Sequence, residues 1–150
     1  MMKQCKHAVI VLQFALFFLI CMAATNTYAQ DTGKEKTVKA YYSGFENKDW
    51  NTIAAQLAGG FTFTSPTGDD HISVAAFKEK CFPTSKFTKK VSFLKMVETG
   101  NELFLLVQIN TTDNKIVRNV DIFTFDSLGK IKSHECFFGA GAGYPGRTTN

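Results

Sequence analysis

The chain has 150 residues, 20% of them charged and 45% hydrophobic, and a formal net charge of +4. This length fits one domain, which buries roughly two-thirds of its unfolded surface on folding. The basic residues form no run longer than Lys89-Lys90, so the charge pattern does not favour nucleic acid as a partner.

Residues 1–29 have the pattern of a secretory signal peptide. Two lysines and no acid precede an apolar run from Ala8 to Ala24, and Thr27-Tyr28-Ala29 offers small residues to a signal peptidase. We therefore expect cleavage after Ala29, a periplasmic or secreted protein, and no stable membrane association after cleavage. A retained membrane anchor is the alternative, because the apolar run is about long enough to span a bilayer.

Removal of this segment leaves 121 residues, predicted as a domain over 30–138 and a flexible glycine-rich tail over 139–150. The net charge falls to +2, from 15 basic and 13 acidic residues.

Two cysteines remain after cleavage, Cys81 and Cys136. Free thiols are the preferred interpretation, and a disulfide is the alternative that export would allow. No metal pattern such as CxxC and no P-loop or Rossmann fingerprint is present, so neither a metal nor a cofactor is predicted.

The first predicted helix of the domain is amphipathic. Thr32 and Glu35 have the spacing of a capping box. Apolar and aromatic residues then recur at i, i+3, i+4 and i+7: Val38, Tyr41, Tyr42 and Phe45. This spacing predicts a helix with one aromatic face, ending near Asn47-Lys48.

A second helix is predicted from Trp50 to Ala58, where Asp49 can cap its start and Gly59-Gly60 stops it. The alternating residues Phe61–Ser65 predict a short strand, and Pro66–Asp70 predicts a turn.

Ser73 can cap a third helix, which Pro83 ends. The periodicity then changes to that of strands separated by short turns. Four strands are predicted: Val91 to Val97, Leu103 to Ile109, Ile116 to Phe125 and Lys130 to Phe138. The short separators predict consecutive antiparallel hairpins.

Both faces of the predicted sheet carry apolar residues. The run Leu103–Val107 is apolar on alternate sides, and Val120 and Ile122 add to the face opposite Asp121. A sheet with helices on one side normally shows polar residues on the other. We therefore expect a homodimer through the outer face, with an edge effect of a small domain as the alternative.

This order of elements resembles the nuclear transport factor 2-like superfamily, within it the SnoaL-like and ketosteroid-isomerase-like branch. The segments that carry the resemblance are VKAYYSGFENKDWNTIAAQLA, FTFTSPTG, AAFKE and VDIFTFDSLGKIKSHECFFG. The resemblance implies an α+β fold in which a curved antiparallel sheet wraps around three N-terminal helices. The implied form is a cone-shaped, cystatin-like roll with an apolar pocket.

The steroid isomerases in this superfamily imply roles for three positions. Their helix-1 tyrosine, a hydrogen-bond donor, matches Tyr41, and their protonated aspartic acid matches Asp121. Their general-base aspartate precedes the turn proline, and here that position is Ser65, which has no accessible pKa for such work. The resemblance therefore implies the donor pair without that base.

The last two strands contribute the polar groups of the predicted pocket. Alternation places Asn119, Asp121 and Phe123 on one face, and His134 and Cys136 on one face of the next strand. Burial of Asp121 among aromatic residues disfavours its charged form, so we expect it to donate to Tyr41 or to a ligand. The predicted pocket residues are Tyr41, Phe45, Trp50, Phe63, Ser65, Phe77, Phe123, Asp121, His134, Cys136 and Phe138.

The leading functional hypothesis is an exported protein that binds a small apolar or aromatic molecule in this pocket. The first alternative is a proton-transfer enzyme of isomerase or cyclase type, with catalytic residues Asp121 and Tyr41 as donors and His134 as base. The second alternative is a structural or protein-binding module whose pocket is filled by its own side chains.

Overall fold

The computed structural model describes residues 33–138, which form three α-helices, one 3-10 helix and six strands. The helices are α1 (Gly33–Asn47), α2 (Trp50–Ala54) and α3 (Val74–Lys80), with the 3-10 helix at Phe82–Phe87. The strands are β1 (Leu57–Ser65), β2 (Asp69–Ser73), β3 (Thr88–Thr99), β4 (Glu102–Thr111), β5 (Ile116–Phe125) and β6 (Ile131–Phe138). The predicted α+β fold class is confirmed. The predicted signal peptide, the predicted tail and Thr32 lie outside the described residues.

The six strands form one sheet in the order β2-β1-β6-β5-β4-β3. Strands β3 to β6 pair as consecutive antiparallel hairpins, as the short turns predicted. Strand β1 pairs in parallel with β6, so Phe63 lies opposite His134. The first and last strands of the domain therefore meet in the middle of the sheet.

Helix α1 packs its predicted aromatic face against one side of this sheet, here called the inner face. Val38 and Tyr41 are fully buried, and Tyr42 is nearly so. The Tyr41 ring contacts Phe123 on β5. Inward residues of the sheet complete the core, because strand alternation sends every second side chain to this face. No helix within residues 33–138 is long and apolar enough to cross a membrane.

The second helix is shorter than predicted. Asp49 caps it as expected, accepting a hydrogen bond from the Asn51 amide at 2.9 Å. The helix ends at Ala54, and β1 begins at Leu57, inside the segment predicted as helical. The Ile131 amide donates to the Gln56 carbonyl at 2.9 Å, so pairing with a strand distant in sequence decides where this helix stops.

Strand β2 was not predicted. Its residues Asp69–Ser73 are mostly exposed at the edge of the sheet, so they show no alternation of apolar and polar side chains. The predicted turn is shorter and covers residues 66–68. The third helix is also shorter than predicted: Ser73 caps it as expected, and a 3-10 helix replaces its last turn around Pro83.

Candidate functional site

A cavity of about 290 Å³ lies between the inner face of the sheet and the helices. Its lining comes from all six strands, from the turn between β1 and β2, and from α1, α3 and the 3-10 segment. The lining residues are Tyr41, Tyr42, Phe45, Phe63, Ser65, Thr67, Asp69, Phe77, Lys80, Cys81, Thr84, Thr88, Val91, Ile109, Asn119, His134, Cys136 and Phe138. Asp69, the first residue of β2, also reaches it.

The structure places eight of the eleven predicted pocket residues on this cavity: Tyr41, Phe45, Phe63, Ser65, Phe77, His134, Cys136 and Phe138. The other three do not line it. Asp121 and Phe123 are fully buried behind the lining residues. Trp50 packs against Phe77 and Phe82 at the outer side of the aromatic core.

His134 is held in one orientation by two contacts. Its Nδ1 atom lies 3.0 Å from the Tyr41 hydroxyl. Its ring stacks on Phe123, with 4.3 Å between centroids and 17° between planes. The side chain is buried, with 5% exposure, so the cavity meets a fixed imidazole rather than a mobile one.

Asp121 is paired with the neighbouring tyrosine of α1, which corrects the predicted contact with Tyr41. The Tyr42 hydroxyl donates to Asp121 Oδ2. Tyr41 and Tyr42 are both buried, and successive side chains of a helix diverge by about 100° around its axis. One tyrosine therefore reaches His134 on β6 while the other reaches Asp121 on β5. Sequence periodicity does not predict which tyrosine contacts which partner.

Burial keeps the donors of this site in their neutral forms. Desolvation, with a further contribution from Asp121, raises the pKa of the Tyr41 and Tyr42 hydroxyls well above the usual value. Desolvation and Asp121 likewise raise the pKa of the Cys136 thiol, and desolvation raises the pKa of Cys81 to about 11. Both cysteines are free thiols, as preferred from the sequence.

Three buried polar atoms of residues 33–138 have no hydrogen-bond partner: Asn119 Oδ1, Asp121 Oδ1 and His134 Nε2. The last two face each other at 3.6 Å, beyond hydrogen-bond distance. Cys136 lies opposite Asp121 on the adjacent strand. The ligating atoms of Asp121, His134 and Cys136 are all within 4.8 Å of one another, so these side chains could hold a metal ion.

Two charged residues of the cavity, Asp69 and Lys80, were not predicted from the sequence. The Ser65 hydroxyl donates to Asp69 Oδ2 at 2.8 Å, and Lys80 Nζ lies 3.9 Å from Asp69 Oδ1. The turn over residues 66–68 folds Asp69 back beside Ser65, and the four-residue separation was the signal for this contact. Asn119 was also missed as a pocket residue, although strand alternation places it on the same face as Asp121.

The sequence profile of the SnoaL-like domain matches residues 38–134, which is more than half of the chain. A comparison with functionally curated proteins finds no match.

Solved structures of low sequence identity share the fold. A protein with a cystatin-like fold from Methylobium petroleophilum is 16% identical, with a TM-score of 0.63 over 79% of this chain and 83% of that one. An NTF2-like protein from Cytophaga hutchinsonii is 22% identical, with a TM-score of 0.56 over 73% and 92%. SalBIII, an epoxide hydrolase/cyclase-like enzyme in pyran ring formation, is 20% identical, with a TM-score of 0.60 over 71% and 91%.

The matched profile covers most of α1, most of the cavity lining, and Asp121 and His134 with their tyrosine partners. The chain therefore belongs to the SnoaL-like domain family, and its fold is the one described as NTF2-like.

Proposed function

We propose that this protein binds a small apolar or aromatic molecule in the cavity between α1 and the sheet. The cavity itself carries the proposal: its volume of about 290 Å³ is just below the roughly 300–1,000 Å³ range of ligand sites. Four phenylalanine side chains contribute to its walls: Phe45, Phe63, Phe77 and Phe138. A flat aromatic molecule matches walls of this kind through stacked and edge-on ring contacts.

The polar atoms of the cavity favour a ligand that also carries a hydroxyl or amino group. Asn119 Oδ1 is a buried acceptor without a partner among the described residues. An unpaired buried acceptor costs free energy, and a ligand donor would remove that cost. His134 lies on the same cavity and can orient the polar end of the ligand.

Filling the cavity tests this proposal. Cys81 lines it, so the Cys81→Phe variant should occupy part of the volume, whereas Leu94→Phe adds the same ring at an exposed site of β3. With 1-naphthol as probe, calorimetric titration should show binding to the wild type and to Leu94→Phe, and at least tenfold weaker binding to Cys81→Phe. Equal affinity for all three proteins would place the probe elsewhere and contradict the proposal.

A second candidate function is proton transfer in the same cavity, of isomerase or cyclase type. The favouring observation is the pairing of His134 with Tyr41 on one side of the cavity and a carboxylate, Asp69, on another. Histidine can serve as a general base, and Tyr41 can serve as the donor. The fold shared with SalBIII agrees with this class of chemistry.

Exchange of a carbon-bound proton tests the second candidate without knowledge of the substrate. In deuterated buffer, the protein should accelerate loss of the α-proton signal of 2-cyclohexenone in NMR spectra. His134→Gln should reduce that rate by about 10²–10⁴-fold, while the exposed His71→Gln should leave it unchanged. A wild-type rate equal to that of buffer would exclude this activity for the probe.

Export belongs to the same proposal. The basic start, the apolar run and Thr27-Tyr28-Ala29 support a cleaved signal peptide and a periplasmic or secreted location. The intact mass of protein recovered outside the cytoplasm should correspond to a chain that begins at Gln30. A species that retains Met1 would favour the membrane-anchor alternative.

A further inference from the structure

We propose that Asp121, His134 and Cys136 form a binding site for a divalent metal ion of the zinc type at the base of the cavity. The starting observation is the pair of unsatisfied atoms, Asp121 Oδ1 and His134 Nε2. Both side chains are more than nine-tenths buried, and buried polar atoms are normally paired. These two atoms are 3.6 Å apart, and ligand atoms of Asp121, His134 and Cys136 all lie within 4.8 Å of one another.

The distances fit tetrahedral coordination. Zinc bonds of about 2.1 Å to nitrogen and oxygen at tetrahedral angles separate these two ligand atoms by roughly 3.4 Å. The observed separation of His134 Nε2 and Asp121 Oδ1 is 3.6 Å. The Cys136 sulfur lies within 4.8 Å of a ligand atom of each of these two residues, so rotation of its side chain can bring it to a common ion.

The second polar atom of Asp121 and of His134 already has a hydrogen-bond partner. Tyr42 donates to Asp121 Oδ2, and the Tyr41 hydroxyl lies at His134 Nδ1. In metal sites, such outer hydrogen bonds orient the ligands and select the histidine tautomer. Here they leave Oδ1 and Nε2 free to face each other, so both tyrosines act as positioning residues.

The ligand set selects the class of metal. A thiolate and an imidazole suit zinc and related transition metals, whereas magnesium and calcium prefer oxygen ligands alone. Binding breaks the Cys136 S–H bond and forms a sulfur–metal bond, and the proton leaves to solvent. The carboxylate and thiolate then balance the two charges of the ion.

Three protein ligands leave the fourth position of a tetrahedral ion open. His134 and Cys136 line the cavity, so that position faces the space in which a small molecule would sit. The metal site does not depend on binding of an apolar molecule. It does use the same nitrogen that a general base would need, so a metal-bound His134 cannot act as the base.

Cobalt(II) replaces zinc in such sites and reports a cysteine ligand through a thiolate-to-cobalt absorption band. The full-length chain, freed of metal with a chelator, is titrated with Co²⁺ and then with Zn²⁺. We expect one Co²⁺ per chain, a thiolate band that Zn²⁺ abolishes, and a higher melting temperature with Zn²⁺. Absence of the thiolate band at saturating Co²⁺ would overturn the proposal.

Matched variants identify the ligands. The chain has four cysteines, and replacing Cys5, Cys21 and Cys81 with serine leaves Cys136 alone. This single-cysteine variant should keep the thiolate band, whereas Cys136→Ser should lose it. Loss of the band in the single-cysteine variant would contradict the site, even if Cys136→Ser failed to fold. His134→Gln should weaken Co²⁺ binding at least tenfold, whereas His71→Gln should bind like the wild type. Equal weakening by both histidine changes would also contradict the site.

Discussion

The two adjacent tyrosines of α1 have different partners, and this difference organises the site. Tyr41 contacts His134 on β6, and Tyr42 donates to Asp121 on β5. Both hydroxyls are buried. In a buried environment, an unpaired donor costs more free energy than a hydrogen bond typically contributes to net stability. Neither tyrosine is therefore interchangeable with phenylalanine, although both also pack as aromatic core residues.

The pairing of Tyr42 with Asp121 can be measured by a double-mutant cycle. Tyr42→Phe leaves Asp121 Oδ2 without its donor, so we expect a loss of about 1–3 kcal/mol in the free energy of unfolding. Combined with Asp121→Asn, urea denaturation should show a coupling energy of about 0.5–3 kcal/mol. Tyr41→Phe with Asp121→Asn is the control and should show a smaller coupling. Additive effects of Tyr42→Phe and Asp121→Asn would contradict the assignment.

The corner between α1 and α2 sets the position of the tyrosine-bearing helix. Gly44 is buried on α1, and its Cα faces the fully buried Ile53 of α2. The Asp49 amide donates to the Gly44 carbonyl at 2.8 Å, which closes the corner between the two helices. A side chain at position 44 would therefore press on backbone as well as on Ile53.

We predict that Gly44→Ala destabilises the domain. The added Cβ would lie 2.9 Å from the Asp49 carbonyl oxygen, a backbone atom that cannot rotate away, and overpacking of this kind costs about 1–3 kcal/mol. Denaturant unfolding measures the loss. Gly33→Ala, in the same helix with no heavy atom within 4 Å of its added Cβ, is the matched control and should not destabilise. Equal effects of the two changes would show that helix propensity, not space, matters at position 44.

The cap of α2 predicts a pH dependence. A hydrogen bond from the Thr52 hydroxyl, with others from backbone amides, lowers the pKa of Asp49. A group whose pKa is lower in the folded than in the unfolded state stabilises the fold above its unfolded pKa. That contribution disappears as the pH falls through the lowered value.

Asp49→Ala should accordingly lower the melting temperature at neutral pH, and the difference from the wild type should shrink in acid. Melting curves over a pH series check this, with Asp49→Asn as the comparison, since asparagine caps helices without titrating. A difference between wild type and Asp49→Ala that is independent of pH would show that the carboxylate charge does not contribute.

At the scale of the whole molecule, the outer face of the sheet is apolar across several strands. Cross-strand pairing brings Leu106, Val120 and Phe137 into one row. Phe104 and Ile122 form the next row. Val120 is 45% exposed and Phe137 is 51% exposed, and contiguous apolar surface of this kind is typical of an interface.

The homodimer expected from the sequence stays a prediction, and this face is where we place it. A twofold interface uses the same patch on both copies, so one charge introduced at Val120 enters the contact twice. Val120→Lys should shift the mass measured by light scattering from dimer to monomer at micromolar concentration. Leu128→Lys changes an 83% exposed residue in the β5–β6 turn and should leave the mass unchanged. A wild-type protein that is monomeric at these concentrations would contradict the prediction.

The sequence by itself determined the fold class and most of the elements, because the signals for them are local. The spacing of Val38, Tyr41 and Phe45 predicts α1, and short turns between alternating segments predict the hairpins from β3 to β6. Alternation along β5 and β6 also predicted which residues face inward, including Asp121, His134 and Cys136. These features depend on neighbours within a few residues.

Tertiary structure alone decided the contacts that build the site. The choice between Tyr41 and Tyr42 for Asp121 depends on the angle at which α1 crosses the sheet, which no periodicity specifies. The early end of α2 depends on the hydrogen bond between Gln56 and Ile131, which are far apart in the sequence. Strand β2 pairs with β1 but is mostly exposed, so its residues show no local apolar–polar pattern. His134 Nε2 meets Asp121 Oδ1 because packing brings together groups whose separation along the chain carries no information about their distance in space.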